Sequence, residues 1–187
     1  MTHSEAEFTP ATALCPHPER WTADDDESTE NEVGELVYGL VRALQPDLCV
    51  ETGTAFGATA ERIGLALATN GHGRLYTLEA DVRRVRVARK RVAGLPVTVE
   101  WCHSLNDPCC TSALQEALKR GRHIDFAFFD ALYRNRVAEF DRFRPFMRVG
   151  AIVCFHDTAP GRGRRGNDPS TDIRAEVVEG LSVVASG

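Results

Sequence analysis

Five short apolar runs, separated by stretches of helical spacing, leave this chain few folds to adopt. The runs cover residues 48–50, 75–78, 97–101, 124–129 and 150–155. Each is too short for a buried helix and too uniformly apolar for a strand with one wet face, so each predicts a strand covered on both sides. Helices are predicted between them at about 58–68, 82–92, 112–120 and 137–147. A further helix precedes the first strand, where Val33, Leu36, Val37, Leu40, Val41 and Leu44 recur at helical spacing and Pro46 marks the stop. Ser28 or Thr29 is placed to cap it, and Glu30 and Glu32 suit the positive end of its dipole. Strands alternating with helices predict a doubly wound, mainly parallel α/β sheet with helices on both faces.

A chain of 187 residues with 43% hydrophobic residues can bury one core. Residues 1–27, with several prolines and the acidic run Asp24-Asp25-Asp26-Glu27, read as a loosely ordered arm, and residues 28–187 as a single domain. After the fifth strand the expectation is a Gly- and Arg-rich loop at 160–172, a last helix at 173–178 and a short apolar piece at 181–184. Lys and Arg number 22 against 27 Asp and Glu, a net charge of −5, which argues against nucleic acid as a partner. No apolar run approaches the roughly 20 residues that cross a bilayer. The first ten residues carry neither a basic region nor an apolar one, so the expectation is a cytoplasmic protein with no membrane association. The six cysteines form no CxxC pair and read as reduced thiols, Cys49, Cys102 and Cys154 inside apolar runs. A zinc site from Cys15, His17, Cys109 and Cys110 lacks the usual ligand spacing.

In a sheet of this kind ligands bind beyond the carboxyl ends of the strands, where strand order reverses. Four of the five predicted strands end in an acid: Glu51, Glu79, Asp130, and Asp157 after His156. The first strand runs into Glu51-Thr52-Gly53-Thr54-Ala55-Phe56-Gly57 and then a helix. Glycines there allow a sharp turn and a close backbone approach to a ligand. The spacing is not G-x-G-x-x-G, and Glu51 would repel a pyrophosphate but not a cation. A plain tight turn would also explain the glycine pair. Glu79, 22 positions after Gly57, suits the vicinal hydroxyls of a ribose, since a carboxylate accepts two hydrogen bonds. It would equally serve as a cap for the following helix.

Together, E-T-G-T-A-F-G, L-E-A-D, D-F-A-F-F-D-A-L-Y and G-A-I-V-C-F-H-D-T resemble the class I S-adenosylmethionine-dependent methyltransferases. Within them the likeness is to the small-molecule O-methyltransferase-like group whose fifth strand ends in His-Asp-Thr, over roughly residues 28–158. The resemblance implies a Rossmann-like fold, a small-molecule methyl acceptor and S-adenosyl-L-methionine as cofactor. It assigns Glu51, Gly53, Thr54 and Gly57 to the methionine part of the cofactor and Glu79 to its ribose. Ser104 falls on the adenine and Asp130 faces the transferred methyl group. Metal-dependent relatives hold a divalent cation on acids at the fourth and fifth strand ends, which here are Asp130 and Asp157, so Mg²⁺ is one option. The group's usual Asp-Asn is Asp157-Thr158 here, and its usual acid and His after the fourth strand are Leu132 and Tyr133. Without metal, His156 becomes the candidate general base beside Asp130 and Asp157.

The Arg-rich loop at 161–166 reads either as a lid presenting cations to an acidic substrate or as a solvated loop. The basic residues of the 82–92 helix read as a solvated face. The superfamily ends in an antiparallel hairpin of two strands, and this chain stops after at most one of them. The expectation is therefore a shortened hairpin, an edge completed by a partner subunit in a homodimer, or lost activity. A cofactor-binding but inactive protein and a nicotinamide-dependent oxidoreductase are the alternatives. Glu51 and the missing third glycine oppose the latter.

Overall fold

The computed structural model describes residues 9–10, 18–25, 27–103, 112–132 and 135–158. Two residues of β1 (Thr9–Pro10) pair antiparallel with β2 (Thr22–Ala23). From there strands and helices alternate: α1 (Asn31–Leu44), β3 (Leu48–Thr52), α2 (Ala58–Asn70), β4 (Arg74–Glu79), α3 (Val82–Arg91), β5 (Val97–Trp101), α4 (Ser112–Lys119), β6 (Ile124–Phe129), α5 (Arg136–Phe143) and β7 (Met147–Phe155). The five long strands form one parallel sheet in the order β5-β4-β3-β6-β7. This is the expected doubly wound, Rossmann-like α/β fold. Strand order reverses between β3 and β6, and a crevice opens there at the carboxyl ends.

The reason for this architecture is visible in β3 and β6, which are buried at every position. Such strands need a hydrophobic layer on each face. On one face Val37, Val41, Ile63, Leu67, Val85 and Ala88 of α1, α2 and α3 cover the sheet. On the other, Leu114 and Ala117 of α4 and Phe143 of α5 pack on Tyr76, Leu78, Ala127 and Phe129. Phe129 also stacks on Phe155 of β7 at 5.3 Å between ring centres, closing that layer across β6 and β7. Cys49 and Cys102 are buried within these layers and Cys154 is half-buried.

Two local expectations are corrected. Neither Ser28 nor Thr29 caps α1: Glu30 holds the N-cap position and makes no side-chain cap bond. The Ser28 hydroxyl donates to Asp25 and the Thr29 hydroxyl to Asp130 at 2.7 Å, charge-assisted bonds that hold both side chains against carboxylates. The last strand starts at Met147 rather than at 150, because pairing with β6 resumes after a register break around Gly150, whose φ is +88°. The predicted 137–147 helix ends correspondingly early, in a 3₁₀ turn at Arg144–Phe146.

The basic helix α3 is less purely solvated than expected. Arg84 pairs with Glu27 at 2.6 Å, and Arg91 pairs with Glu61 at 2.8 Å and with Asp24. Asp24 and Glu27, ahead of α1, are thereby tied to α3. No helix among the described residues is long and apolar enough to cross a membrane. The Arg-rich loop, the last helix, the C-terminal hairpin, Cys15, His17, Cys109, Cys110 and Tyr133 lie outside the described residues.

Candidate functional site

A cavity of about 540 Å³ lies over the reversal point, within the range of small-molecule and cofactor sites. Its floor is the strand ends: Gly53 and Thr54 after β3, Leu78 and Glu79 of β4, Cys102 and His103 after β5, Asp130 after β6, and His156 and Asp157 after β7. Its near wall is made by Ala23, Asp25 and residues 27–30, which precede α1.

The glycine turn is fixed by backbone geometry. Gly53 has φ +83°, and its N–H donates to the Leu78 carbonyl at 3.0 Å, so the turn stays laced to β4. A Cβ there would come within 2.6 Å of the Ala131 backbone nitrogen, so only glycine lets the β3 and β6 ends lie so close. Gly57 begins α2 at φ +89°, with a would-be Cβ 3.2 Å from the Ala88 Cα. It permits the approach of α3 and does not line the cavity. Ala55, a non-glycine at φ +47°, is held by its N–H, which donates to Glu79 Oε2 at 2.8 Å.

Glu79 thus joins the turn to the end of β4. Its other oxygen accepts the Asp81 N–H at 2.9 Å, and it still faces the cavity with lone pairs to spare. The capping role belongs instead to Asp81, whose side chain accepts the Arg83 N–H at 2.7 Å. Glu51 lies beneath the floor rather than in it. It is fully buried and accepts the Thr77 hydroxyl, which in turn bonds Thr54 in the cavity wall. Burial pushes its carboxyl up to about 8 against the Thr77 hydrogen bond, with the Asp130 and Glu79 charges adding to the rise. Ser104 lies outside the described residues.

At the β6 and β7 ends the acids form a tight cluster. His156 Nδ1 lies 2.8 Å from Asp130 Oδ1, and Nε2 lies 2.7 Å from Glu30 Oε2. Burial opposes charge on this ring. The Asp130 charge and hydrogen bonds to Asp130, Asp157 and Glu30 outweigh it and hold the pKa well above the ordinary imidazole value. Asp130, His156 and Asp157 present ligand atoms within 4.8 Å of one another, as the metal expectation requires. The buried guanidinium of Arg136 stands among them, donating to Asp130 Oδ1 and Asp157 Oδ2 at 3.0 Å each.

Sequence reading missed Thr29, Glu30 and Arg136. Glu30 carried only a dipole signal, which concealed a bond to a residue 126 positions away. Arg136 did leave a trace: it starts α5, and a cation at a helix N-terminus opposes the dipole unless something else holds it.

The comparisons agree with this architecture. A caffeoyl-CoA O-methyltransferase of Stellaria longipes is 24% identical over 131 residues, covering 68% of this chain and 53% of that protein. The chain therefore spans about half the length of this curated relative. An O-methyltransferase from Bacillus cereus, solved in complex with SAH, superimposes with a TM-score of 0.70 at 21% identity, over 87% of this chain and 73% of the other. TomG, an O-methyltransferase of Streptomyces achromogenes solved with SAM, gives 0.66 at 21% identity, over 87% and 71%. A family model described as a methyltransferase domain matches residues 50–158, from the first sheet strand through the His-Asp-Thr end of the last. With more than half its length in that match, the chain belongs to the methyltransferase-domain family.

Proposed function

We propose that this chain binds S-adenosyl-L-methionine and transfers its methyl group to the hydroxyl oxygen of a small molecule. The observation that carries this reading is the acid-lined cavity at the sheet's reversal point, with Glu79 reached from the glycine turn on one side and Asp130 on the other. The residues fit the cofactor by charge and shape: carboxylates suit its sulfonium and ammonium, and the tight Gly53 turn leaves open space above the β3 end. The relatives named as O-methyltransferases support the choice of oxygen as acceptor. When bound, S-adenosylmethionine supplies a methyl group on a positively charged sulfur, which departs as a neutral thioether.

The chain's own part is positioning and proton handling. Glu79 accepts the ribose hydroxyls, Thr54 and the Gly53 turn set the depth of the methionine end, and Asp130 borders the transferred methyl. Glu51 acts from below through Thr77 and Thr54. His156 is the group able to take the acceptor's proton, with Asp130, Asp157 and Glu30 fixing its ring. Those acids favour the charged ring, so His156 serves as a base only once it has lost its proton. Turnover should accordingly climb as pH rises above neutrality, and His156→Gln should lower kcat and flatten that climb. A profile unchanged in His156→Gln would remove His156 from the role.

The reading is tested by calorimetric titration with S-adenosylhomocysteine, with NAD⁺ as control. The expected result is saturable binding of the first and none of the second. Glu79→Ala should weaken it by roughly 10²–10⁴-fold, since two hydrogen bonds to a charged acceptor are worth about 1.5–3 kcal/mol each. No binding by folded wild-type protein would overturn the reading, as would tighter binding of NAD⁺.

A further inference from the structure

We propose that Arg136 is the resident cation of the Asp130–Asp157 pair, filling with a guanidinium the place where a divalent metal ion would bridge the two strand ends. The side chain is 4% exposed, and its contacts reach two segments of chain, 130–131 and 156–157. Nη2 donates to Asp130 Oδ1 and to Asp157 Oδ2, both at 3.0 Å. Nε donates to the Ala131 carbonyl at 3.1 Å, and Nη1 donates to the His156 carbonyl.

Three of the four carboxylate oxygens that a bridging ion could use are already committed. Asp130 Oδ1 faces both Arg136 and the His156 ring, and Oδ2 accepts the Thr29 hydroxyl. Asp157 Oδ2 accepts from Arg136 and lies 3.4 Å from His156 Nδ1. A hard cation bound to these oxygens at about 2.1 Å would sit within about 5 Å of a buried guanidinium that cannot lose its proton. Moving Arg136 aside would strip a buried charge of its partners. On this proposal Mg²⁺ does not fit the cluster, contrary to the expectation that Asp130 and Asp157 hold it. Arg136 is a positioning residue: it neutralises the two acids, fixes the β6 and β7 ends relative to each other, and leaves methyl transfer independent of metal.

The inference goes beyond the methyl-transfer reading and is tested apart from it, by titrating Mn²⁺ and following the free ion by electron paramagnetic resonance. Wild-type protein should show no saturable binding below about 1 mM, while Arg136→Gln should bind at least about tenfold more tightly through the freed acids. Adding Asp157→Asn to that variant should abolish the gain, and Arg136→Lys, which keeps a cation in place, should not show it. Tight Mn²⁺ binding by the wild type that Asp157→Asn removes would overturn the proposal, as would a folded Arg136→Gln with no gain. Should Arg136→Gln fail to fold, the wild-type titration decides alone: no binding upholds the proposal and binding overturns it. Failure to bind S-adenosylhomocysteine would bear on the cofactor reading and leave this result untouched.

Discussion

Gly53→Ala is expected to melt roughly 5–15 °C below the wild type and to lose S-adenosylhomocysteine binding, although it adds one methyl group. Two costs combine. An alanine at φ +83° occupies a left-handed conformation, worth about 1–2 kcal/mol. Its Cβ would also lie 2.5 Å from the Asp130 carbonyl carbon and 2.6 Å from the Ala131 nitrogen. Those are backbone atoms at the end of β6, so no side chain can rotate away, and relief requires the β3 and β6 ends to part. Overpacking of that kind costs typically about 1–3 kcal/mol more. The strand ends that must move carry Asp130 and the glycine turn, so the cavity deforms along with the fold. Gly71→Ala is the control. It stands at φ +78° at the end of α2 with nothing within 4 Å of its would-be Cβ, and should cost only the first of the two terms while keeping ligand affinity. Equal melting losses in the two variants would show that the approach of β3 to β6 is not the constraint argued here.

This position shows why much of the site was legible in sequence. A fully buried parallel strand must be apolar, its ligand-facing residues must follow its carboxyl end, and a turn packed against a neighbouring strand must be glycine. Each rule is local, so β3 to Gly57, β4 to Glu79 and β6 to Asp130 could be read in order along the chain. Long-range partners have no local signature. Nothing around Glu30 announces a bond to His156, and the place of Arg136 at a helix N-terminus says only that something must hold it, not that the holders are two acids. Glu51 marks the boundary between the two cases. Its place at a strand end was readable. Its side-chain direction, down onto Thr77 rather than up into the cavity, depended on the register of β3 against β4, in which Glu51 faces Thr77 directly.

The same buried acids set how the fold responds to pH, and the expected result is a loss of stability as pH rises from 6 to 8. Glu51 titrates near 8 in the folded chain, raised chiefly by burial, against an ordinary value of 4.5. Glu100 on β5 is 3% exposed with one oxygen lacking a hydrogen-bond partner, and burial lifts it to about 7 against the pull of Arg89. Over this window the unfolded chain has already released both protons and the folded chain still holds them. The folded state binds more protons, so stability is greatest near pH 5 and declines with rising pH until these groups ionise in place. His156, raised above its ordinary 6.5, adds to the decline because its charged form is favoured only in the fold. With about 1.4 kcal/mol per unit of pKa difference, Glu51 alone should remove roughly 2–3 kcal/mol between pH 6 and 8, a large share of a typical margin of 5–15 kcal/mol. Asp81 acts in the opposite direction, held down to about 2 by its hydrogen bonds with Arg83, but its effect is exhausted well below pH 6. Urea denaturation at several pH values measures the slope. Glu51→Gln keeps an acceptor for Thr77 without a charge to bury, so it should remove its roughly 2–3 kcal/mol share of the decline, leaving that of Glu100 and His156, and exceed the wild type in stability at pH 8. Stability that stayed level or rose from pH 6 to 8 would mean that Glu51 is already ionised, and that the carboxylate beneath the cavity is solvated in a way its burial among β3 and β4 does not allow.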